Sequence, residues 1–119
     1  MDASPYELAA QLLVSEPPAS RNRHFQAYQD PTTRRAYALY RRLRALVLEL
    51  EEAERQGVSV AVEPRTRGGV AVMRLVWETA SARRAAWLEL PVWEALFAHP
   101  SAARVLGSKA AGLLAKQSA

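Results

Sequence analysis

The chain has 119 residues, of which half are hydrophobic and 24% are charged, a composition typical of a globular protein with one domain. It contains no cysteine, which excludes disulfide bonds and cysteine-ligated metal sites. Sixteen Lys and Arg against twelve Asp and Glu give a net charge of +4. This balance is compatible with partners that carry negative charge, either a nucleic acid or an acidic protein surface.

The N-terminal residues predict a short capped helix and a linker. Ser4 precedes Pro5 and stands three residues before Glu7, the arrangement of a capping box with proline in the first turn. Apolar residues at helical spacing extend this helix to Val14, and the Pro-Pro pair that follows stops it. We therefore divide the chain into residues 1–20, a capped helix with a Pro-Pro linker, and residues 21–119, a single α+β domain.

A second, long helix is predicted from Asp30 onward. Asp30 is a good N-cap residue, and Pro31 suits the first helical position. Apolar residues then recur at steps of three and four as far as about Gln56, where Gly57 supplies a left-handed stop. The resulting apolar stripe requires a surface against which it can be buried.

After Gly57 the apolar period changes from helical spacing to two, which predicts β-strands. The Gly pair at the end of the following loop suits a hairpin turn with positive φ angles. We expect a first strand at Val58–Val62, a loop at Pro64–Gly69, a central strand at Val70–Trp77 and a third strand at Arg83–Leu90.

The C-terminal part predicts further helices. Pro91 suits the start of a short helix that ends before Pro100, and Ser101 is a candidate N-cap for a closing helical segment. The expected fold class is α+β: a long helix and a short N-terminal helix packed on a three-stranded antiparallel β-meander, closed by C-terminal helices.

The sequence offers little for catalysis. His24 and His99 are the two histidines, and neither stands in a metal-type spacing; there is also no glycine-rich phosphate loop. We expect a protein that is not an enzyme, with no catalytic residue, metal or cofactor. No apolar run reaches the length of about 18 residues needed to span a bilayer, and the N-terminus lacks a signal-peptide pattern, so we expect a cytoplasmic protein without a membrane partner.

Charge along the predicted long helix comes in blocks. Residues 21–44 contain seven Arg and one Asp, whereas residues 45–56 contain four Glu and one Arg. Arg41, Arg42 and Arg44 have no acidic residue three or four positions away, where a helix normally places a partner. Either these guanidinium groups are simply solvated, or a negatively charged group outside the helix binds them.

The first functional hypothesis is a protein-interaction or regulatory adaptor that forms a homo-oligomer. Two long helices packed antiparallel would place the arginine block of one copy against the glutamates of the other and would cover a second, less polar face. The candidate partner-binding residues are Arg34, Arg35, Tyr37, Arg41, Arg42, Arg44 and Leu48, and the candidate counter-charges are Glu49, Glu51, Glu52 and Glu54.

The alternative hypothesis is a nucleic-acid-binding protein, in which the basic patch from Arg21 to Arg44 contacts phosphates. Residues of the hairpin and of the polar sheet face would then add contacts, with an exposed tryptophan stacking on a base or a peptide. The candidates are Arg65, Arg67, Arg74 and Trp87. A small-molecule pocket is a further open possibility, because pocket shape is not visible in a sequence.

Overall fold

The computed structural model describes residues 4–15 and 30–107. It confirms the predicted α+β class, with the long helix packed on a three-stranded antiparallel sheet of order β1-β2-β3. The predicted Pro-Pro linker and the residues after Gly107 lie outside the described ranges. The elements are α1 (Pro5–Ser15), α2 (Pro31–Arg55), β1 (Ala61–Arg67), β2 (Val70–Glu78), β3 (Arg83–Glu89), α3 (Leu90–Leu96) and the helical residues 100–107, here α4.

The helix termini are the ones that the sequence predicts. The Ser4 Oγ accepts a hydrogen bond of 3.1 Å from the backbone N–H of Glu7, as a capping residue does. Asp30 caps α2 by accepting hydrogen bonds from the backbone N–H of Thr32 and from the hydroxyl of Thr33, at 3.3 and 2.6 Å. At the other end, Gly57 has a φ of 71°, which ends the helix as expected.

One hydrophobic core joins the helices to the sheet. Ala9 and Leu13 of α1 are fully buried in the same cluster as the apolar stripe of α2, so the N-terminal helix packs on its own chain. The sheet contributes the core-facing side chains of β2 and β3 to this cluster, and α3 closes it. The largest fully buried side chains are Leu13, Leu43, Leu50, Met73, Leu75, Leu88, Trp93 and Leu96.

The first strand differs from its prediction. It begins at Ala61 instead of Val58, and residues from Pro64 to Arg67, which the sequence analysis assigned to a loop, belong to the strand. Pro64 is accepted because β1 lies at the edge of the sheet, where one side of the backbone needs no partner. Only Gly68 and Gly69 form the turn, with φ angles of 58° and 80°.

The third strand is one residue shorter than predicted. Leu90 is the first residue of α3 instead of the last residue of β3, and Glu89 occupies the N-cap position in extended conformation. Pro91 explains the change, because its fixed φ favours the first turn of a helix and it cannot donate a hydrogen bond within a sheet.

The cap of the closing helix α4 also differs from its prediction. His99 Nδ1 accepts a hydrogen bond of 3.1 Å from the backbone N–H of Ser101, so the histidine performs the capping role assigned to the serine. The Ser101 hydroxyl instead donates to Glu51 of α2, at 2.6 Å. The hydroxyl of the buried Ser101 therefore connects α4 to α2 instead of capping its own helix.

The cap at Asp30 makes the stability of α2 depend on pH. The hydrogen bond from the Thr33 hydroxyl, with smaller effects from backbone N–H groups and Arg34, holds the pKa of the Asp30 carboxyl below its ordinary value of 3.8. The ionised Asp30 carboxylate therefore stabilises the folded state fully above the ordinary pKa. This stabilisation is lost as the pH falls through the lowered pKa of the folded state.

We expect Asp30→Asn to lower the free energy of unfolding at neutral pH, because the amide accepts the same hydrogen bonds but lacks the charge that favours a helix N-terminus. Urea unfolding of both proteins measures the difference, which should shrink on acidification and disappear once the carboxyl is protonated in the folded and the unfolded state. A difference that stays constant over this range would show that the carboxylate charge has no role in the cap.

Candidate functional site

The exposed arginines of α2 have contacts within their own chain. The Arg42 Nη2 donates to the backbone carbonyl of Trp87, at 3.0 Å. The Arg35 Nη2 donates to the Tyr6 hydroxyl at 3.2 Å, and its guanidinium lies 5.6 Å from the centre of that ring. Arg34, Arg41 and Arg44 are exposed and also make interactions of their own.

The other two candidate partner-binding residues of α2, Tyr37 and Leu48, differ in their exposure. Tyr37 is 3% exposed and packs edge-on against Tyr40, with ring centres 6.3 Å apart, so it belongs to the core and not to the surface. Leu48 is 52% exposed and lies on the outward face of α2. Leu48 and the arginines are therefore exposed, whereas Tyr37 is part of the core.

The glutamate block of α2 bonds to side chains of the same chain. Glu49 lies 3.7 Å from Arg84 of β3, and Glu51 accepts from the Ser101 hydroxyl. The Glu52 carboxylate accepts from Arg55 and Gln56, one turn further along the helix. These three glutamates are candidate counter-charges for a second copy, and each carboxylate has a partner within its own chain.

Glu54 has the most specific partner in this block. The Arg104 guanidinium donates two hydrogen bonds to its carboxylate, of 2.8 and 2.9 Å, and so lowers the pKa of Glu54. Such fork-to-fork pairs are directional as well as electrostatic. Within the same chain, Glu51 and Glu54 thus bond to α4, and Glu49 approaches β3.

The outer face of the sheet, opposite the core, carries the remaining candidates. The Trp87 ring is half-buried between two guanidinium groups: Arg67 lies 5.1 Å and Arg74 lies 5.3 Å from the ring centre. Glu63 makes ion pairs with Arg74, at 3.0 Å, and with Arg65, at 3.3 Å. The structure therefore brings all four candidates of this face together, with one carboxylate among them.

The turn before β3 determines which of its residues exchange backbone hydrogen bonds with β2; we call this alternation the hydrogen-bond phase of β3. The backbone N–H of Thr79 donates to the carbonyl of Ala82, at 2.8 Å, which makes these two residues a hydrogen-bonded pair. Bonded and unbonded pairs alternate along an antiparallel ladder. Because Trp87 lies opposite Arg74, an odd number of pairs from that position, the Trp87 pair is unbonded and its backbone groups point away from β2.

Two further observations agree with this phase. Pro64 lies opposite Met73 and has no N–H to donate, so Met73 directs its backbone groups toward β3 and its partner Leu88. The Trp87 carbonyl points outward, since it accepts the hydrogen bond from Arg42. The N–H and C=O groups of residues 83, 85 and 87, with the N–H of Glu89, therefore form an outward-pointing row, which we call the outer edge of β3; the Glu89 carbonyl belongs to the first turn of α3.

A groove runs beside this edge. It has a volume of about 450 Å³ and lies between α2 and β3, so one wall is helical and the other includes the strand itself. Ala85 and Ala86 leave room along the strand, and Arg42 and Glu49 stand at the helical wall. We call it the α2–β3 groove; its lining residues are Arg42, Leu43, Ala45, Leu46, Glu49, Arg67, Ala85, Ala86, Trp87 and Leu88.

A second, more apolar groove of about 410 Å³ lies between α1 and α2, with Leu8, Leu12 and Tyr37 among its lining residues. Within residues 4–15 and 30–107, no three acidic or histidine side chains stand close enough together to hold a metal ion. None of the helices described has the length and apolar character that crossing a bilayer requires.

Ala85 and Ala86 were not among the predicted site residues, because small apolar side chains carry no chemistry of their own. A signal was present: the Gly68-Gly69 turn sets the register that places Pro64 opposite Met73, and this register fixes which backbone groups of the sheet point outward.

Comparison with family models, with curated proteins and with solved structures found no match.

The exposure of Trp87 can be tested by fluorescence quenching. Trp77 and Trp93 are 4% and 0% exposed, so we expect iodide to quench chiefly Trp87, whose neighbouring guanidinium groups attract the anion. Trp87→Phe should remove most of the quenchable emission without changing the far-ultraviolet circular dichroism. Equal quenching in the wild type and the variant would place the accessible tryptophan elsewhere.

Proposed function

We propose that this chain is a non-catalytic protein-interaction module that binds an extended polypeptide segment along the outer edge of β3. The observation that carries the proposal is the row of outward-pointing backbone groups beside the α2–β3 groove. An added strand would obtain main-chain hydrogen bonds from this edge and a place for alternate side chains in the groove.

The two edges of the sheet are unequal, which supports the choice of β3. On β1 the outward-pointing residues include Pro64, and a proline at an edge removes a donor and discourages strand addition. On β3 the outward-pointing residues include Ala85, whose small side chain is exposed. In the described part of the chain no strand pairs with this edge.

Self-association through the charge blocks of α2 has less support. It requires the glutamates of that helix as counter-charges, and these carboxylates bond to Arg84, Ser101, Arg55 and Arg104 of the same chain. Binding of nucleic acid by the patch from Arg21 to Arg44 is distinguished from peptide binding in the experiment below.

The test uses a phage-displayed library of random peptides selected on the wild-type protein, with the enriched peptides then measured by fluorescence anisotropy. Ala85→Pro removes one outward-pointing N–H, which the sheet does not use. It also places a proline ring at the outer edge of β3, where the peptide would bind. We expect it to weaken peptide binding by about tenfold or more. The matched control is Thr66→Pro, which makes the same change at the other edge, on an outward-pointing residue of β1.

Peptides that bind the wild type and Thr66→Pro alike, but bind Ala85→Pro weakly, would support the proposal. It would be overturned if no peptide is enriched, or if Ala85→Pro binds as the wild type does. A labelled DNA duplex is measured in parallel at two salt concentrations. Duplex binding that falls steeply with salt, together with no peptide binding, would favour the nucleic-acid alternative instead.

A further inference from the structure

We propose that the segment bound at the outer edge of β3 is β3 of a second copy of this chain, antiparallel and centred on Ala86. This inference rests on the function proposed above and names its partner. The pairing would join two three-stranded sheets into one continuous sheet around a twofold axis, and such a closed arrangement uses the same surface on both copies.

The hydrogen-bond phase of β3 permits this register. With Ala86 on the twofold axis, Ala85 lies opposite Trp87 of the second copy, and Arg83 lies opposite Glu89 of the second copy. Ala85 and Trp87 direct their backbone groups outward, so each Ala85–Trp87 pair exchanges two hydrogen bonds as in any antiparallel ladder. It is also the register in which the whole strand, Arg83–Glu89, overlaps with its copy.

Charge favours the same register. Arg83 and Glu89 are exposed at opposite ends of the strand, and neither side chain makes a hydrogen bond or an ion pair with the residues that the structure describes. The pairing centred on Ala86 places these opposite charges across from each other twice, once at each end of the interface. A shift by one bonded pair in either direction would place Arg83 opposite Trp87 or Pro91 and remove both contacts.

The side chains near the axis leave room for the second strand. Trp87 would lie across from Ala85 on the outer face of the sheet, a large side chain opposite a small one, and Ala86 would face its own copy on the groove side. The α2–β3 groove of about 450 Å³ borders this position. The Arg42 guanidinium lies at the Trp87 carbonyl, which has a second lone pair with which to accept from the incoming strand.

The register predicts the effect of reversing each charge. Arg83→Glu places two carboxylates opposite each other at both ends of the interface, and Glu89→Arg places two guanidinium groups there. We expect each single variant to raise the dissociation constant of the dimer about tenfold at low ionic strength. The double variant re-forms both ion pairs with their direction reversed, and should return to within about twofold of the wild type.

Sedimentation velocity over a concentration series at low ionic strength measures these constants, and circular dichroism establishes that each variant is folded. Glu94→Arg, an exposed change of the same charge on α3, is the control and should leave the constant unchanged. The proposal is supported if both single variants weaken the dimer and the double variant restores it. It is overturned if the wild type stays monomeric throughout, or if the double variant remains as weak as the single ones.

These outcomes are separable from failure of the proposed function. A monomeric wild type whose edge still binds selected peptides, with loss of binding in Ala85→Pro, would exclude the second copy as the occupant and retain the interaction module. Dimers that form equally well with Ala85→Pro would use another surface, and would therefore overturn this inference even if the edge binds peptides.

Discussion

Pro64 constrains the backbone hydrogen bonds of the sheet, because it has no N–H. Opposite Met73, it requires an unbonded pair between β1 and β2, so the backbone groups of Met73 point toward β3. The hydrogen bond from Thr79 to Ala82 gives the same alternation from the other end. The row of outward-pointing groups on β3 is the consequence, and the proposed activity depends on it.

The glutamates of α2 contact other elements of the same chain. Glu49 approaches Arg84 of β3, while Glu51 and Glu54 bond to Ser101 and Arg104 of α4, so the acidic half of the helix connects two elements that follow it in the chain. Exposed ion pairs of this kind contribute little stability each, but they fix orientation. The α2–β3 groove has Glu49 of α2 among its lining residues.

Local signals in the sequence predicted the helices well. Asp30 with Pro31, and Gly57 at the other end, set the limits of α2 because capping and termination depend on neighbours in the chain. The alternation of β2 and β3 also placed Arg74 and Trp87 on one face, as the structure has them. By contrast, Pro64 was assigned to a loop, because a proline disfavours a strand unless that strand lies at an edge, and position in a sheet is a tertiary property.

The partners of the charged residues could not be predicted in the same way. Glu54 and Arg104 are fifty residues apart in the chain, and nothing local relates them. Arg42, which has no acidic neighbour on its helix, is satisfied by a backbone carbonyl that carries no sequence signature. The site that results depends on backbone groups of Ala85 and Trp87, and sequence patterns report side chains.

Amide hydrogen exchange resolved by residue tests the central claim most directly, because it reports which N–H groups of β3 are bonded. In dilute protein we expect rapid exchange at Ala85 and Trp87 and slow exchange at Ala86 and Leu88, with protection of the first two increasing as the protein concentration rises. Slow exchange at Ala85 and Trp87 in the most dilute sample would contradict an open edge. Rapid exchange there at every concentration would contradict pairing with a second copy.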